Sequence, residues 1–116
     1  MATPQLPNYL RAHRKRLGLS QEEVSYLLGT ASGAKVCRHE RFTCEPMLRT
    51  ALAFEIVFDT PASELFKGLY SEVERAIAAR ARKLSAKLDK AKPSAHVSRK
   101  RQILSLIASE NANKRR

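Results

Sequence analysis

The residue types that carry out catalysis or hold metal ions form no catalytic or metal-binding pattern in the sequence of this 116-residue chain. Its two cysteines, Cys37 and Cys44, lie seven positions apart, without a second Cys or His pair at the spacing of a zinc site or disulfide framework. We interpret both as free thiols, since a small buried hydrophobe is commoner than a redox sensor. The chain also lacks a glycine-rich phosphate loop and a catalytic Ser, His and acid set. An enzyme is therefore the class least favoured, and no cofactor or metal is expected.

Basic side chains are the second group with chemical potential, and they are unevenly distributed. The net charge of +11 predicts attraction to a polyanion, either nucleic acid or an anionic membrane surface. Residues 1–66 hold eight Lys or Arg against seven Asp or Glu, a net charge of +1, whereas residues 67–116 hold 14 against four, a net charge of +10. No apolar run approaches the roughly 20 residues that span a bilayer, and no signal-peptide pattern opens the chain. We expect a cytoplasmic, nucleoid-associated protein without membrane attachment.

The spacing of apolar residues predicts an all-α fold, because it is helical throughout and the chain has only four glycines. Asn8 can cap a first helix that ends at Gly18. Ser20 to Glu23 reads Ser-Gln-Glu-Glu, a capping box that opens a second helix, and Gly29 ends that helix. Ser32 is the natural N-cap of a third helix that reaches Arg41.

Three further predicted helices follow. Pro46 opens a fourth helix, which we expect to stop around residues 59–61. Its apolar positions are expected to face the core: Leu48, Ala51, Leu52, Ile56 or Val57, and Phe58. A long amphipathic stretch then runs from Ser63 to Lys92. We thus expect a compact domain over residues 8–66, a long basic helix over 67–92, a linker and short helix over 93–110, and a disordered basic tail over 111–116.

Five short motifs in the first half are similar to a known family. They are Leu19-Ser20-Gln21-Glu22-Glu23-Val24, Leu27-Leu28-Gly29, Val36 to Arg41, Pro46, and Pro61 to Phe66. In this order and near this spacing, they resemble the Cro/CI-repressor-like (XRE) helix-turn-helix family over residues 8–66. The resemblance implies a compact lambda-repressor-like domain of four to five helices. It also implies a transcriptional regulator, more often a repressor, whose third helix enters the major groove of double-stranded DNA.

The resemblance also implies roles for individual residues. Base reading would fall to Gly33, Ala34, Lys35 and Arg38. Arg38 is the strongest candidate, because its fork can meet O6 and N7 of guanine, while Lys35 suits a phosphate equally well. A phosphate contact would fall to Gln21 at the start of the second helix. Arg41 and Thr43, which flank the loop after the third helix, could contact the DNA backbone as well, and each of the three has solvent exposure as the alternative. Arg14 and Glu40 would form a buried structural salt bridge between the first and third helices.

The chain departs from the family pattern in three places. The turn over residues 29–32 is one residue longer than usual, which could shift the reading positions by one. His39 replaces an aliphatic core residue, and we interpret it as a satisfied, partly buried histidine. Phe42 stands where a helix-ending glycine is common, so that a left-handed cap there would be strained, or the helix would end differently.

The long C-terminal helix has more than one interpretation. An apolar stripe predicts pairing with a second copy, so that a homodimer would bind an inverted repeat, although the stripe could instead fold back on its own domain. The stripe consists of Leu69, Val73, Ile77, Leu84 and Leu88. The basic charge of this region also suits a non-specific nucleic-acid binder. A third alternative is an antitoxin or adaptor that docks a partner protein through its C-terminal helices.

Overall fold

The computed structural model describes residues 6–30 and 32–114, with the side chains of residues 110–114 excepted. This described part of the chain is all helical and contains no strand, which confirms the predicted fold class. In chain order the helices are α1 (Leu10–Arg16), α2 (Gln21–Leu28), α3 (Gly33–Glu40), α4 (Leu48–Phe58), α5 (Ala62–Leu65), α6 (Lys67–Leu88) and α7 (Ala95–Lys114). The chain divides into two compact units, Met1–Tyr70 and Ser71–Arg116. Among the described residues, no helix is both long enough and apolar enough to cross a membrane.

The core of the first unit receives at least one buried side chain from each of its five short helices. These side chains are Leu10, Val24, Val36, Phe54, Phe58 and Leu65, with Phe66 directly after α5. The ring of Phe54 stacks on that of Phe58 at a centroid distance of 5.9 Å and meets Phe66 edge-on at 6.3 Å. Each such aromatic pair adds roughly 0.5–1.5 kcal/mol beyond the area that it buries.

Four of these helices end with the same backbone pattern, in which a residue of left-handed conformation follows the last turn. Gly18 and Gly29 take this position after α1 and α2, with φ of 73° and 78°. After α3 and α4 the position belongs to Phe42 and Asp59, with φ of 57° and 47°. The strained cap considered for Phe42 is therefore the one that forms, closed by the N–H of Thr43 on the carbonyl of Arg38 at 3.0 Å. For a side chain other than glycine, this conformation costs roughly 1–2 kcal/mol.

The segment before α1 runs close to the start of α6. The N–H of Tyr9 donates to the carbonyl of Leu65 at 2.7 Å, and the N–H of Leu69 donates to the carbonyl of Pro7 at 3.3 Å. Gly68 makes this approach feasible, because a Cβ on it would lie 2.0 Å from the carbonyl oxygen of Leu6. The glycine is thus required by packing between two backbones.

Helix α4 differs from its prediction, because only one of its apolar faces is buried. Phe54 and Phe58 take the core side, whereas Leu48, Leu52 and Ile56 are 74%, 48% and 79% exposed. We call these three residues the α4 stripe. The expectation that Leu48 and Leu52 lie in the core was wrong, because the helix is apolar on two sides and can turn only one of them to a single core. Of the alternatives Ile56 and Val57, it is Val57 that packs against the core.

The second unit contains residues 71–88 of α6 together with α7. Ala81 and Leu88 pack against Leu104, with Val97 and Ile107 at the edge of this small core. Arg101 donates to the carbonyl of Leu88 at 3.0 Å and pairs with Asp89 at 3.0 Å. Helix α7 extends to Lys114, beyond the short helix predicted within residues 93–110. Residues 111–114 of the predicted disordered tail are therefore helical, and residues 115–116 lie outside the described part.

Candidate nucleic-acid interface

Helix α3 packs on α2 and α1 and keeps one side open to solvent. Val36 and His39 are buried at 1% and 3% exposure. The opposite side is formed by exposed residues, which we call the α3 face: Ala34, Lys35, Arg38 and, directly after the helix, Arg41. Three of the four residues that the resemblance implied for base contact therefore share one exposed surface, and two basic side chains flank Arg38 there.

Gly33, the fourth residue of that set, lies elsewhere. It is buried, and its N–H donates to Oε1 of Glu22 on α2 at 2.9 Å. A Cβ on Gly33 would approach this oxygen to 2.7 Å and the backbone carbon of Gln21 to 3.2 Å. The prediction that Gly33 joins the base-reading set is thus corrected: the glycine allows α3 to pack closely on α2. Ser32 is the N-cap by backbone conformation, yet its side chain makes no capping hydrogen bond, and the Glu22 carboxylate takes that role.

A buried polar network fixes the other end of α3. Nε of Arg14 lies 2.5 Å from Oε2 of Glu40, and a second guanidinium N–H donates to Oε1 of Glu40 at 3.2 Å. The two side chains are only 11% and 4% exposed, so the implied structural salt bridge is present and buried. A third N–H of Arg14 donates to the carbonyl of Leu19 at 3.0 Å, and the Gln21 amide donates to Glu40 at 3.1 Å. The network therefore joins α1, α2 and α3.

The three residues implied as phosphate contacts have different surroundings. Arg41 is exposed and its charge is available. Gln21 is half-buried, with its amide engaged by Glu40, so this network orients its side chain. Thr43 donates the proton of its hydroxyl to the carbonyl of Arg38 at 3.1 Å. This hydroxyl has a single proton, so Thr43 has no side-chain donor left for a phosphate oxygen while the cap of α3 is formed.

Sequence reasoning missed the contact that ties the end of α3 to the start of α1. Asn8 is 6% exposed, and its Nδ2 donates to the backbone carbonyl of His39 at 2.9 Å. Its Oδ1 accepts the N–H of Leu10 at 3.2 Å, so Asn8 caps α1 as predicted although Tyr9 is the formal N-cap residue. No local pattern signals the link to His39, which is 31 positions away.

His39 is buried but not satisfied. Its ring meets Phe54 edge-on at 5.9 Å, and its Nδ1 has no hydrogen-bond partner. The interpretation as a satisfied histidine is therefore corrected. Burial lowers the pKa of His39 below its usual 6.5, and the charges of Lys35 and Arg38 lower it further. A neutral imidazole at the core side of α3 follows at neutral pH.

The long C-terminal helix carries an exposed basic surface, which we call the α6 basic surface. Its residues are Arg75, Arg80, Arg82, Lys83, Lys87 and Lys90, the last directly after α6. The predicted dimerisation stripe on the same helix is divided. Leu69 packs on the core of the first unit, and Leu88 belongs to the core of the second. Only Val73, Ile77 and Leu84 remain available, at 50%, 43% and 46% exposure.

Neither thiols nor acidic groups form a second candidate site. Cys37 is half-buried on α3 and Cys44 is exposed, and both are free. Within the described part of the chain, no group of three or more His, Cys, Asp and Glu side chains is placed to hold a metal ion.

Comparison of the chain with protein-family models, with curated proteins and with solved structures finds no match. The resemblance to the Cro/CI-repressor-like family therefore rests on the sequence motifs alone.

Proposed function

We propose that this protein is a sequence-specific regulator of transcription, chiefly a repressor, that inserts α3 of a helix-turn-helix domain into the major groove of double-stranded DNA. The observation that carries the proposal is the α3 face. Arg38 stands on it between a small residue, Ala34, and two further cations, on a helix whose other side is fixed to α1 and α2. A major groove about 12 Å wide admits one helix with this arrangement.

Within this proposal the residues of the α3 face have separate tasks. Arg38 reads guanine through its two parallel N–H donors, an interaction worth roughly 1–3 kcal/mol of discrimination. Ala34 touches a thymine methyl or allows close approach, and Lys35 and Arg41 contact phosphates. Thr43 keeps its capping role, and Gln21 approaches the backbone only as part of the Glu40 network.

The charge distribution supports a division of labour between the two halves of the chain. Residues 1–66 carry a net charge of +1 and residues 67–116 carry +10. Phosphate neutralisation supplies most non-specific affinity and makes binding depend on salt. The α6 basic surface is thus the source of affinity, and the α3 face is the source of specificity.

Selection of binding sites from random-sequence DNA tests the proposal. We expect an enriched motif with two half-sites about one helical turn apart if a dimer binds. Arg38→Lys, which keeps the charge but loses the guanidinium fork, should relax the motif at one position per half-site and leave the salt dependence unchanged. Lys83→Ala should weaken binding to all sequences equally and lower the slope of log K against log salt by about 0.9. Absence of any enriched motif would refute the specific regulator.

One competing function is favoured by a specific observation. The α6 basic surface alone suits non-specific nucleic-acid binding, in which α3 takes no part. Under that function Arg38→Lys and the wild type would bind all duplexes alike, and only the α6 variants would lose affinity.

A further inference from the structure

The α4 stripe is an apolar surface that the first unit does not bury. Leu48, Leu52 and Ile56 follow each other at intervals of four residues, so they lie in one row along the helix. Met47, the N-cap residue directly before the helix, is 77% exposed as well, but it does not belong to the row. The opposite side of α4 supplies Phe54 and Phe58 to the core. A helix that is apolar on both sides is typical of one with protein on both sides.

The size of this surface is that of half a small interface. From their exposed fractions, the three side chains of the row leave on the order of 350 Å² of apolar surface in water, within the range of the largest patch on a monomer. Two such rows facing each other would remove about 700 Å², so the row can form the centre of an interface whose rim supplies the rest of the roughly 1,000 Å² that a specific interface buries.

The order of residues in the row indicates what covers it. Leu52 is central, and a large aliphatic residue stands four positions to either side, Leu48 before it and Ile56 after it. Two antiparallel α4 helices around a two-fold axis would therefore bring Leu52 against its own counterpart and Leu48 against the Ile56 of the second copy. A two-fold interface requires this self-complementarity, because each contact occurs twice with the residues exchanged.

We propose that a second copy of this chain packs on the α4 stripe in this antiparallel arrangement, and that this is the main self-association surface. The alternative on α6 is weaker. Its remaining apolar residues, Val73, Ile77 and Leu84, are 43–50% exposed, whereas Leu48 and Ile56 of the α4 stripe exceed 70%, and the exposed Arg80 stands between Ile77 and Leu84 in the sequence. The exposed Arg49, three positions before Leu52 and seven before Ile56, lies at the edge of the α4 row, where its charge can stay in water when two rows pair. The inference does not depend on DNA binding.

Disulfide cross-linking of the full chain tests the geometry directly. Cys37→Ser and Cys44→Ser remove the native thiols, and single cysteines are then introduced on α4. Leu52→Cys should give a covalent dimer on mild oxidation, since both copies present it at the two-fold axis. Leu48→Cys alone should not, because its two copies would lie about 12 Å apart along the helix axis. A mixture of Leu48→Cys and Ile56→Cys chains should cross-link. The matched control, Ile77→Cys on α6, should stay uncoupled.

Sedimentation of full-length variants provides the second test. Ile56→Glu places a charge at a residue that the monomer leaves 79% exposed, so the fold should persist while dimerisation weakens roughly a hundredfold or more. Ile77→Glu, on an α6 residue that is 43% exposed, should leave the dimer intact. Circular dichroism checks that both variants stay helical.

Three results would overturn the proposal. They are a wild-type chain that remains monomeric at roughly 100 μM, a dimer that survives Ile56→Glu, or a dimer that Ile77→Glu dissociates. Binding of a single half-site reports separately on the α3 face. Loss of the dimer with retained half-site preference would support both proposals, and an intact dimer without sequence preference would refute only the function in DNA.

Discussion

Replacing Glu40 by glutamine isolates the charge in the network that joins α1, α2 and α3. The substitution keeps the size of the side chain, but it leaves the guanidinium of Arg14, which is only 11% exposed, without its counter-charge. Removing one partner of a buried ion pair costs roughly 3–5 kcal/mol, because the remaining charge stays out of water. At about 0.05–0.15 kcal/mol per residue, a unit of this size has a total free energy of unfolding of a similar order. We expect Glu40→Gln to remove most of that stability.

Urea unfolding at pH 7, followed by tyrosine fluorescence, measures this loss for the first unit alone. The chain has three tyrosines and no tryptophan, and Tyr9, Tyr26 and Tyr70 all lie in that unit. The exposed Glu45 provides the matched control. Glu45→Gln removes the same charge and should change the free energy of unfolding by less than about 0.5 kcal/mol.

A double variant separates the cost of an unpaired charge from the worth of the network. Arg14→Met with Glu40→Leu removes both charges and should recover most of the stability that Glu40→Gln loses. A loss below about 1 kcal/mol for Glu40→Gln would refute the reasoning, because it would equal the value of an exposed pair. A double variant as unstable as the single one would show that packing, and not the buried charge, dominates.

Three further perturbations test other contacts of the first unit. The pKa of His39 is lowered in the folded chain, so below pH 6.5 the unfolded chain binds a proton at this residue more readily than the folded chain does. The contribution of His39 to stability is therefore full above pH 6.5 and is lost as the pH falls through the lowered pKa. The free energy of unfolding, measured in urea between pH 7.5 and 5.5, should fall by up to about 1.4 kcal/mol per pH unit, and His39→Met should reduce this dependence on pH. An unchanged pH dependence in His39→Met would contradict this origin. Gly68→Ala should lower the thermal midpoint by several degrees despite better helix propensity, because the methyl group would displace the carbonyl of Leu6; a raised midpoint would refute the close approach. Gly29→Ala, where nothing lies within 4 Å, should cost only the left-handed conformation, roughly 1 kcal/mol in urea unfolding; a much larger loss would reveal a contact not seen here.

Local sequence signals predicted the features that depend on neighbouring residues. The capping box at Ser20 is complete, since Glu23 accepts the N–H of Ser20 at 2.8 Å and Ser20 accepts the N–H of Glu23 at 3.0 Å. Gly18 and Gly29 end their helices as expected, in the left-handed conformation. The salt bridge between Arg14 and Glu40 was predicted from the resemblance to a family, since residue spacing alone does not indicate it.

Features that depend on distant parts of the chain were not predicted. Helical periodicity cannot say which of two apolar faces of α4 meets the core, and the expected burial of Leu48 and Leu52 was wrong for that reason. Gly33 was placed on the exposed side of α3, but the missing Cβ is needed where α3 meets Glu22. The bond from Asn8 to the carbonyl of His39 joins two segments that only the folded chain brings together.

A carboxylate holds helix α3 at each of its two ends. The Glu22 carboxylate binds its first N–H, and the Glu40 carboxylate anchors its last turn to Arg14. For a helix that docks into a groove, as in the proposed function, such fixation means that little backbone entropy remains to be lost on binding. Under that proposal, calorimetry of DNA binding should show a small heat-capacity change from the first unit, without the large negative value typical of segments that fold as they bind. The α3 face would then be a preformed backbone surface, and the entropy lost on binding would come mainly from its exposed side chains.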